Sequence, residues 1–138
     1  MEGECNKAQR VYRSVAKGLQ IAFEFRNHTW YHEEIYQLLQ QHNCAFCIYE
    51  LEHHLSPMKV TADFVYVRLH GPTQFKYQGT YSDAALKKWA KQCIAWQKEK
   101  KDVYVYFDND EDAYAAFNAL TLKKLVANAK QGKSKSTA

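Results

Sequence analysis

Apolar and polar positions alternate along this chain with two different periods. In Asn6–Lys17, Ala8, Val11, Tyr12, Val15 and Ala16 fall at i, i+3, i+4, i+7 and i+8, one helical stripe closed by Gly18. Leu19–Arg26 (LQIAFEFR) reads as a strand, and Tyr31–His42 as a helix with Tyr31, Ile35, Leu38 and Leu39 on one side. Cys44–Glu50 (CAFCIYE) reads as a second strand, and residues 51–62, with Pro57 as a breaker, as irregular. Phe64–His70 (FVYVRLH) is a third strand, ended by Gly71-Pro72 and a loop. Ser82 is a credible N-cap for a helix that buries Leu86, Trp89, Ala90, Cys93 and Ile94. Val103–Phe107 (VYVYF) is a fourth strand, and a last helix begins near Glu111, with acids at its start and Lys123 and Lys124 near its end.

Strands alternating with amphipathic helices predict a parallel α/β sheet. Such sheets place ligands at the carboxyl ends of their strands, and here those ends are polar. The first strand ends in Glu24 and Arg26 and is followed by His28; the third ends in Arg68 and His70; the fourth runs into Asp108, Asn109 and Asp110. Successive strand side chains point to opposite faces. Ala22, Glu24 and Arg26 therefore share a face, as do Tyr66, Arg68 and His70, and Tyr104, Tyr106 and Asp108. The opposite faces carry Ile21, Phe23 and Phe25, then Val65, Val67 and Leu69, then Val103, Val105 and Phe107. Helices cover the larger apolar sets, which turns the charges and tyrosines inward.

An arginine pair with a histidine suits a carboxylate or phosphate. Two carboxylates and a histidine suit acid–base work or a divalent metal. The expected roles are catalytic for Glu24, His70 and Asp108, and ligand-binding for Arg26, His28, Arg68, Asn109 and Asp110. The bland alternative is a satisfied salt-bridge network that stiffens the rim. No nucleophile elbow, glycine-rich phosphate loop or HExxH helix occurs.

Composition narrows the class. Apolar residues make up 46 % and charged residues 25 %, the mixture of an ordinary folded domain. No apolar run reaches the roughly 20 residues needed to span a bilayer. MEGECNKAQR lacks the apolar core of a signal peptide, so a cytoplasmic location is expected. Cys44 and Cys47 have metal-like spacing, but three positions apart on a strand they point to opposite faces, which suits reduced structural thiols. The net charge is +4. Without Lys130, Lys133 and Lys135 of the basic tail (130–138, expected to be disordered), 16 basic residues face 15 acidic ones in the folded domain, residues 1–129. A nearly neutral body gives little support to nucleic-acid binding.

Four ordered blocks, FEFRNHTW (23–30), TADFVYVRLHGP (61–72), YQGTYSDAALKKWA (77–90) and VYVYFDNDEDAYAAFNAL (103–120), resemble the YecE-like family, domain of unknown function 72. The resemblance implies a TIM-type β/α barrel and carries no settled activity. Its recurrent residues map to Glu24, Arg26, Trp30, Arg68, His70, Gly71, Tyr81, Trp89, Asn109, Asp110 and Asn118, which adds Tyr81 to the expected ligand-binding set. The chain departs from the family where Asn27-His28 replace a His-Pro pair, where Ala113 replaces a glycine, and near Glu50, where an aspartate is usual. Family members are roughly twice as long, so the expectation is the C-terminal half of a barrel. A half barrel leaves its inner face open and two strand edges unpaired. The expected partners are a small-molecule ligand and either a second copy, as a homodimer, or a chain supplying the missing half. A non-catalytic half-barrel subunit and a nucleic-acid binder are the alternative functions.

Overall fold

The computed structural model describes residues 18–134, together with Gly3, Asn6, Lys7 and Arg10. Most of the helix expected over Asn6–Lys17, as well as Cys5 and the tail beyond Ser134, lies outside the described residues. Within them the elements are β1 (Ala22–Phe23), a 3-10 turn (His28–Trp30), α1 (Glu33–Gln41), β2 (Ala45–Leu51), β3 (His54–Leu55), β4 (Phe64–Leu69), α2 (Asp83–Lys98), β5 (Asp102–Phe107), a second 3-10 turn (Glu111–Ala113) and α3 (Tyr114–Ser134).

The sheet runs β1-β2-β4-β5 with every neighbour parallel. Its register sets Ala22 beside Ala45, Cys47 beside Tyr66, Tyr49 beside Arg68, and Arg68 beside Tyr106. One face is packed under the helices. Phe46, Ile48, Val65, Val67 and Leu69 are buried there in one cluster with Ile35, Leu39, Leu86, Trp89 and Leu122. The opposite face has only a small buried cluster of Ala45, Ala62 and Phe64, against which Ala22 and Tyr66 pack. This asymmetry is the parity pattern of the sequence in three dimensions.

The helix α2 begins and ends for local reasons. The Ser82 hydroxyl accepts from the Ala85 amide at 3.2 Å and caps α2. Lys100, with a φ of 60°, turns the chain out of that helix into β5, a left-handed exit usually made by glycine. α3 continues to Ser134, past residue 130, where the basic tail was expected to start.

Two sequence expectations are corrected. The eight-residue first strand shrinks to Ala22–Phe23, because its ladder has a partner on one side only, β2. Residues 51–62 are not wholly irregular: β3 folds back antiparallel on β2, pairing Glu50 with Leu55 and Leu51 with His54. Glu52 and His53 make this turn with φ of 51° and 62°. Two positive φ values are what a tight hairpin requires, yet the pair lacks the Asn-Gly signal that announces one.

Candidate ligand site at the carboxyl ends of the strands

Arg68 is the centre of the site because β4 lies between β2 and β5. Its guanidinium donates through Nη1 to Glu24 Oε2 at 3.0 Å and through Nε to Asp108 Oδ2 at 3.0 Å. Arg26 pairs with the other oxygen of Glu24 and brings Nη2 within 3.2 Å of His70 Nε2. His70 is fully buried. Its Nε2 lies 3.6 Å from Glu24 Oε2 and its Nδ1 lies 3.2 Å from Asp108 Oδ2. The Nδ1 contact is close but poorly directed, so that nitrogen has no well-formed hydrogen bond. Two guanidinium groups thus offset two carboxylates around one imidazole, as partly buried charges require.

The electrostatics follow from that packing. Burial alone would raise the Glu24 carboxyl. The neighbouring His70 ring and the charges of Arg26 and Arg68 outweigh it and hold the group down at about 2. Burial opposes the Arg68 charge in the same way, but Glu24 and Asp108 stabilise it and raise its pKa. Cys47 points onto this face, with Sγ 3.6 Å from Glu24 Oε2. Burial and the adjacent carboxylate push its thiol far up, so it is not a thiolate nucleophile at neutral pH.

A pH dependence follows. A carboxyl depressed from 4.5 to about 2 adds stability that is complete above pH 4.5 and is lost as pH falls toward 2, at most about 3 kcal/mol. Urea midpoints of the wild type should fall between pH 5.5 and 2.5, and those of Glu24→Gln should fall less. Equal slopes in the two proteins would show that Glu24 is not held down in the fold.

Below the charges lies an open cavity of about 400 Å³, lined among others by Gln20, Cys47, Phe64, Tyr66, Tyr104 and Tyr106. Tyr66 and Tyr106 stack with centroids 5.0 Å apart. Tyr104 and Tyr106, on the edge strand β5, are 37 % and 49 % exposed, and they offer flat surfaces to a ligand. At the rim, Arg26 lies 5.0 Å over the Tyr49 ring, and the Tyr49 and Tyr31 hydroxyls bond at 2.9 Å.

The structure therefore brings Glu24, Arg26, Arg68, His70 and Asp108 together. The other expected residues stand apart from the cluster. His28 and Asp110 are exposed. Tyr81 and Asn109 are buried and employed in holding the loop after β4. The Tyr81 hydroxyl accepts from the Gly71 amide at 3.1 Å. Asn109 donates to the Gly79 carbonyl at 2.8 Å and to Asn118 Oδ1 at 2.9 Å. Asn118 Oδ1 also accepts from the Tyr81 amide at 3.1 Å. Together they anchor the backbone that follows His70.

Sequence reasoning missed Cys47 and gave Tyr49, at the polar end of its strand, no role, since the second strand is buried along nearly all its length and shows no polar alternation. Register with Tyr66 and Arg68 was the signal that placed them on the inner face, and register is a tertiary fact. Glu50 lies on the helix side, where burial raises its pKa and the Trp89 indole partly offsets that. No group of three or more His, Cys, Asp and Glu among the described residues is arranged to hold a metal ion; Arg68 fills the space between Glu24 and Asp108.

The profile of the family described as "Protein of unknown function DUF72" matches residues 2–138. The chain belongs to the DUF72 family. No curated protein matches it. Among solved structures, a DUF72 family protein of Enterococcus faecalis V583 superposes with a TM-score of 0.80 at 21 % identity, covering 92 % of this chain and 54 % of that one. A DUF72 family protein of Thermotoga maritima MSB8 gives 0.77 at 27 % identity, covering 89 % and 51 %. The chain spans about half the length of these relatives. With four parallel strands and helices on one face, it is a partial barrel of the TIM type. No helix among the described residues is long and apolar enough to cross a membrane.

Proposed function

We propose that the carboxyl-terminal end of this DUF72 sheet binds a small hydroxyl-rich ligand of sugar type. The observation that carries the reading is the balanced cluster of Arg26, Arg68, Glu24 and Asp108 above the exposed rings of Tyr104 and Tyr106. Compensated charges leave little net field to attract a strong anion. They still present N–H donors and carboxylate lone pairs side by side, the complement of neighbouring hydroxyls, while tyrosine faces take up the C–H surface of a ring.

Glu24, ionised down to about pH 2, acts in this reading as an acceptor that orients the ligand, not as a proton donor. Acid–base chemistry, where it occurs, falls to His70, whose Nδ1 lacks a well-formed hydrogen bond. A divalent metal bound by Glu24, His70 and Asp108 would have to displace Arg68. The free buried thiols Cys44, Cys47 and Cys93 suit a reducing cytoplasm. The open inner face is covered by a further half barrel, which in the purified chain is a second copy.

Saturation-transfer NMR with methyl glucoside and glucose 6-phosphate, alongside native mass spectrometry of the same sample, tests the reading. The expected result is transfer to the sugar ring of both compounds in a dimeric protein, with the signal lost in Tyr106→Ala. Transfer that persists unchanged in that variant, or none with either compound, would overturn it.

A further inference from the structure

The near-neutral charge of the body conceals a segregation. Over residues 84–101 and 114–131, which make up most of α2 and α3, there are nine lysines and one acid, Glu99. The rest of the chain carries ten basic and fourteen acidic residues. Eight of the nine lysines (87, 88, 91, 98, 100, 123, 124 and 130) are exposed. None of them forms an ion pair among the described residues; the lysines that do are Lys59, with Glu33, and Lys76, with Glu52. Lys101, the ninth, donates to the Ala62 carbonyl at 2.7 Å.

These lysines meet concave surface. Lys87, Lys91 and Lys98 line a groove of about 440 Å³ between the two helices, with Ile94, Leu125 and Ala129. A second hollow of about 500 Å³ holds Lys100, Lys101 and Lys130, together with one opposing acid, Asp102, and Tyr104, which also lines the tyrosine cavity. The hollows adjoin, since Lys98 and Lys100 are two residues apart in the chain and Ala129 and Lys130 are consecutive. Along α2 alone, Lys87 to Lys98 spans roughly 16 Å at the helical rise.

We infer that this outer helical layer, on the side of the sheet away from the tyrosine cavity, is a docking surface for the phosphate backbone of a nucleic-acid duplex. A linear polyanion matches an elongated, unpaired row of point charges. The groove offers only Ile94 and Leu125 as large apolar contacts, both half-buried, too little to anchor an amphipathic partner helix by its apolar side chains. This groove carries no aromatic ring, and the second hollow carries a single one, Tyr104, too few for successive single-stranded bases to stack on. Recognition here is of backbone and shape, without base readout.

The test is fluorescence anisotropy of the full chain with a labelled duplex of about 20 base pairs and a labelled oligo-dT of the same length, at 50 and 200 mM salt. Four or five lysine–phosphate contacts predict a log–log salt slope of about −4 for the duplex. Lys87→Glu/Lys91→Glu/Lys98→Glu should weaken duplex binding by at least about 30-fold and reduce the slope to about −1. Lys59→Glu/Lys76→Glu, whose lysines pair with Glu33 of α1 and with Glu52, and Lys133→Gln/Lys135→Gln should each change it by less than about threefold. If the triple variant does not fold, Lys91→Gln and Lys98→Gln singly should each lower the slope by about 1. Loss shared equally with either control, stronger binding of oligo-dT, displacement of the duplex by polyglutamate at equal charge, or no binding at 50 mM would each overturn the inference. Because the tyrosine cavity is untouched by these variants, the sugar signal is expected to survive in all of them.

Discussion

Replacing Arg68 with methionine is expected to cost about 2–3 kcal/mol of stability and to abolish ligand binding in the tyrosine cavity. One Arg68 guanidinium joins Glu24 and Asp108. Methionine retains most of the stem's packing but leaves Glu24, at 14 % side-chain exposure, to Arg26 and His70, and Asp108, at 27 %, to His70 alone. Stripping one partner from a buried pair typically costs about 3–5 kcal/mol. The Arg68 side chain here is 36 % exposed, so solvent screens part of that and brings the cost down to about 2–3 kcal/mol. Glu24, held down in part by the Arg68 charge, should also take up a proton more readily, so the variant's deficit should shrink as pH falls below 5. Urea denaturation at pH 7 and pH 4 measures both effects. A loss under about 0.5 kcal/mol at pH 7 would mean that the cluster is solvated and stabilises nothing. Arg68→Lys restores a charge without the two-sided fork and should recover less than half of the loss.

Gly71→Ala should be the most damaging single-methyl change in the chain, at about 3 kcal/mol. Gly71 has a φ of 119°, which L side chains rarely adopt, and an added Cβ would lie 2.5 Å from the Gln78 carbonyl oxygen and 3.1 Å from its nitrogen. Both obstacles are backbone, held by the Tyr77 amide on the His70 carbonyl at 2.8 Å and by the Asn109 contact to Gly79. Gly79→Ala provides the control. Its φ of 80° is also positive, but its nearest obstacle is the Thr73 methyl, at 2.6 Å, a side-chain atom whose rotation costs two exposed contacts with Phe75 and leaves the backbone in place. Thermal unfolding should therefore rank wild type above Gly79→Ala and Gly79→Ala above Gly71→Ala. A reversed order would show that the loop is not pinned where His70 leaves the sheet. Since that loop starts directly after the buried histidine, ligand affinity should decline in the same order.

Much of the site was legible because strand geometry is so regular. Alternation alone sent Glu24 and Arg68 to the same face as Tyr66, Tyr104 and Tyr106, and they line one cavity. The same rule parted Cys44 and Cys47, of which only Cys47 looks onto the charge cluster. Motif resemblance worked differently. It singled out Tyr81, Asn109 and Asn118 without distinguishing ligand contact from loop anchoring, because a buried amide that ties down backbone recurs as strictly as one that touches substrate. The hairpin at Glu52-His53 was illegible because its backbone angles are imposed by pairing with β2 and not by its own residues.

Helix and strand periods, the polar strand ends and the side on which each charge falls were determined by the chain alone, since each depends on neighbours within a few residues. Which charges meet was a tertiary decision. Arg68 lies between two carboxylates because β4 has β2 on one side and β5 on the other, and that order joins residues 44 and 40 positions apart. The gathering of lysines around two shared hollows depended likewise on α2 packing against α3. Local sequence sets the direction of a side chain; only long-range packing, through loop closures that no short window encodes, sets its partner.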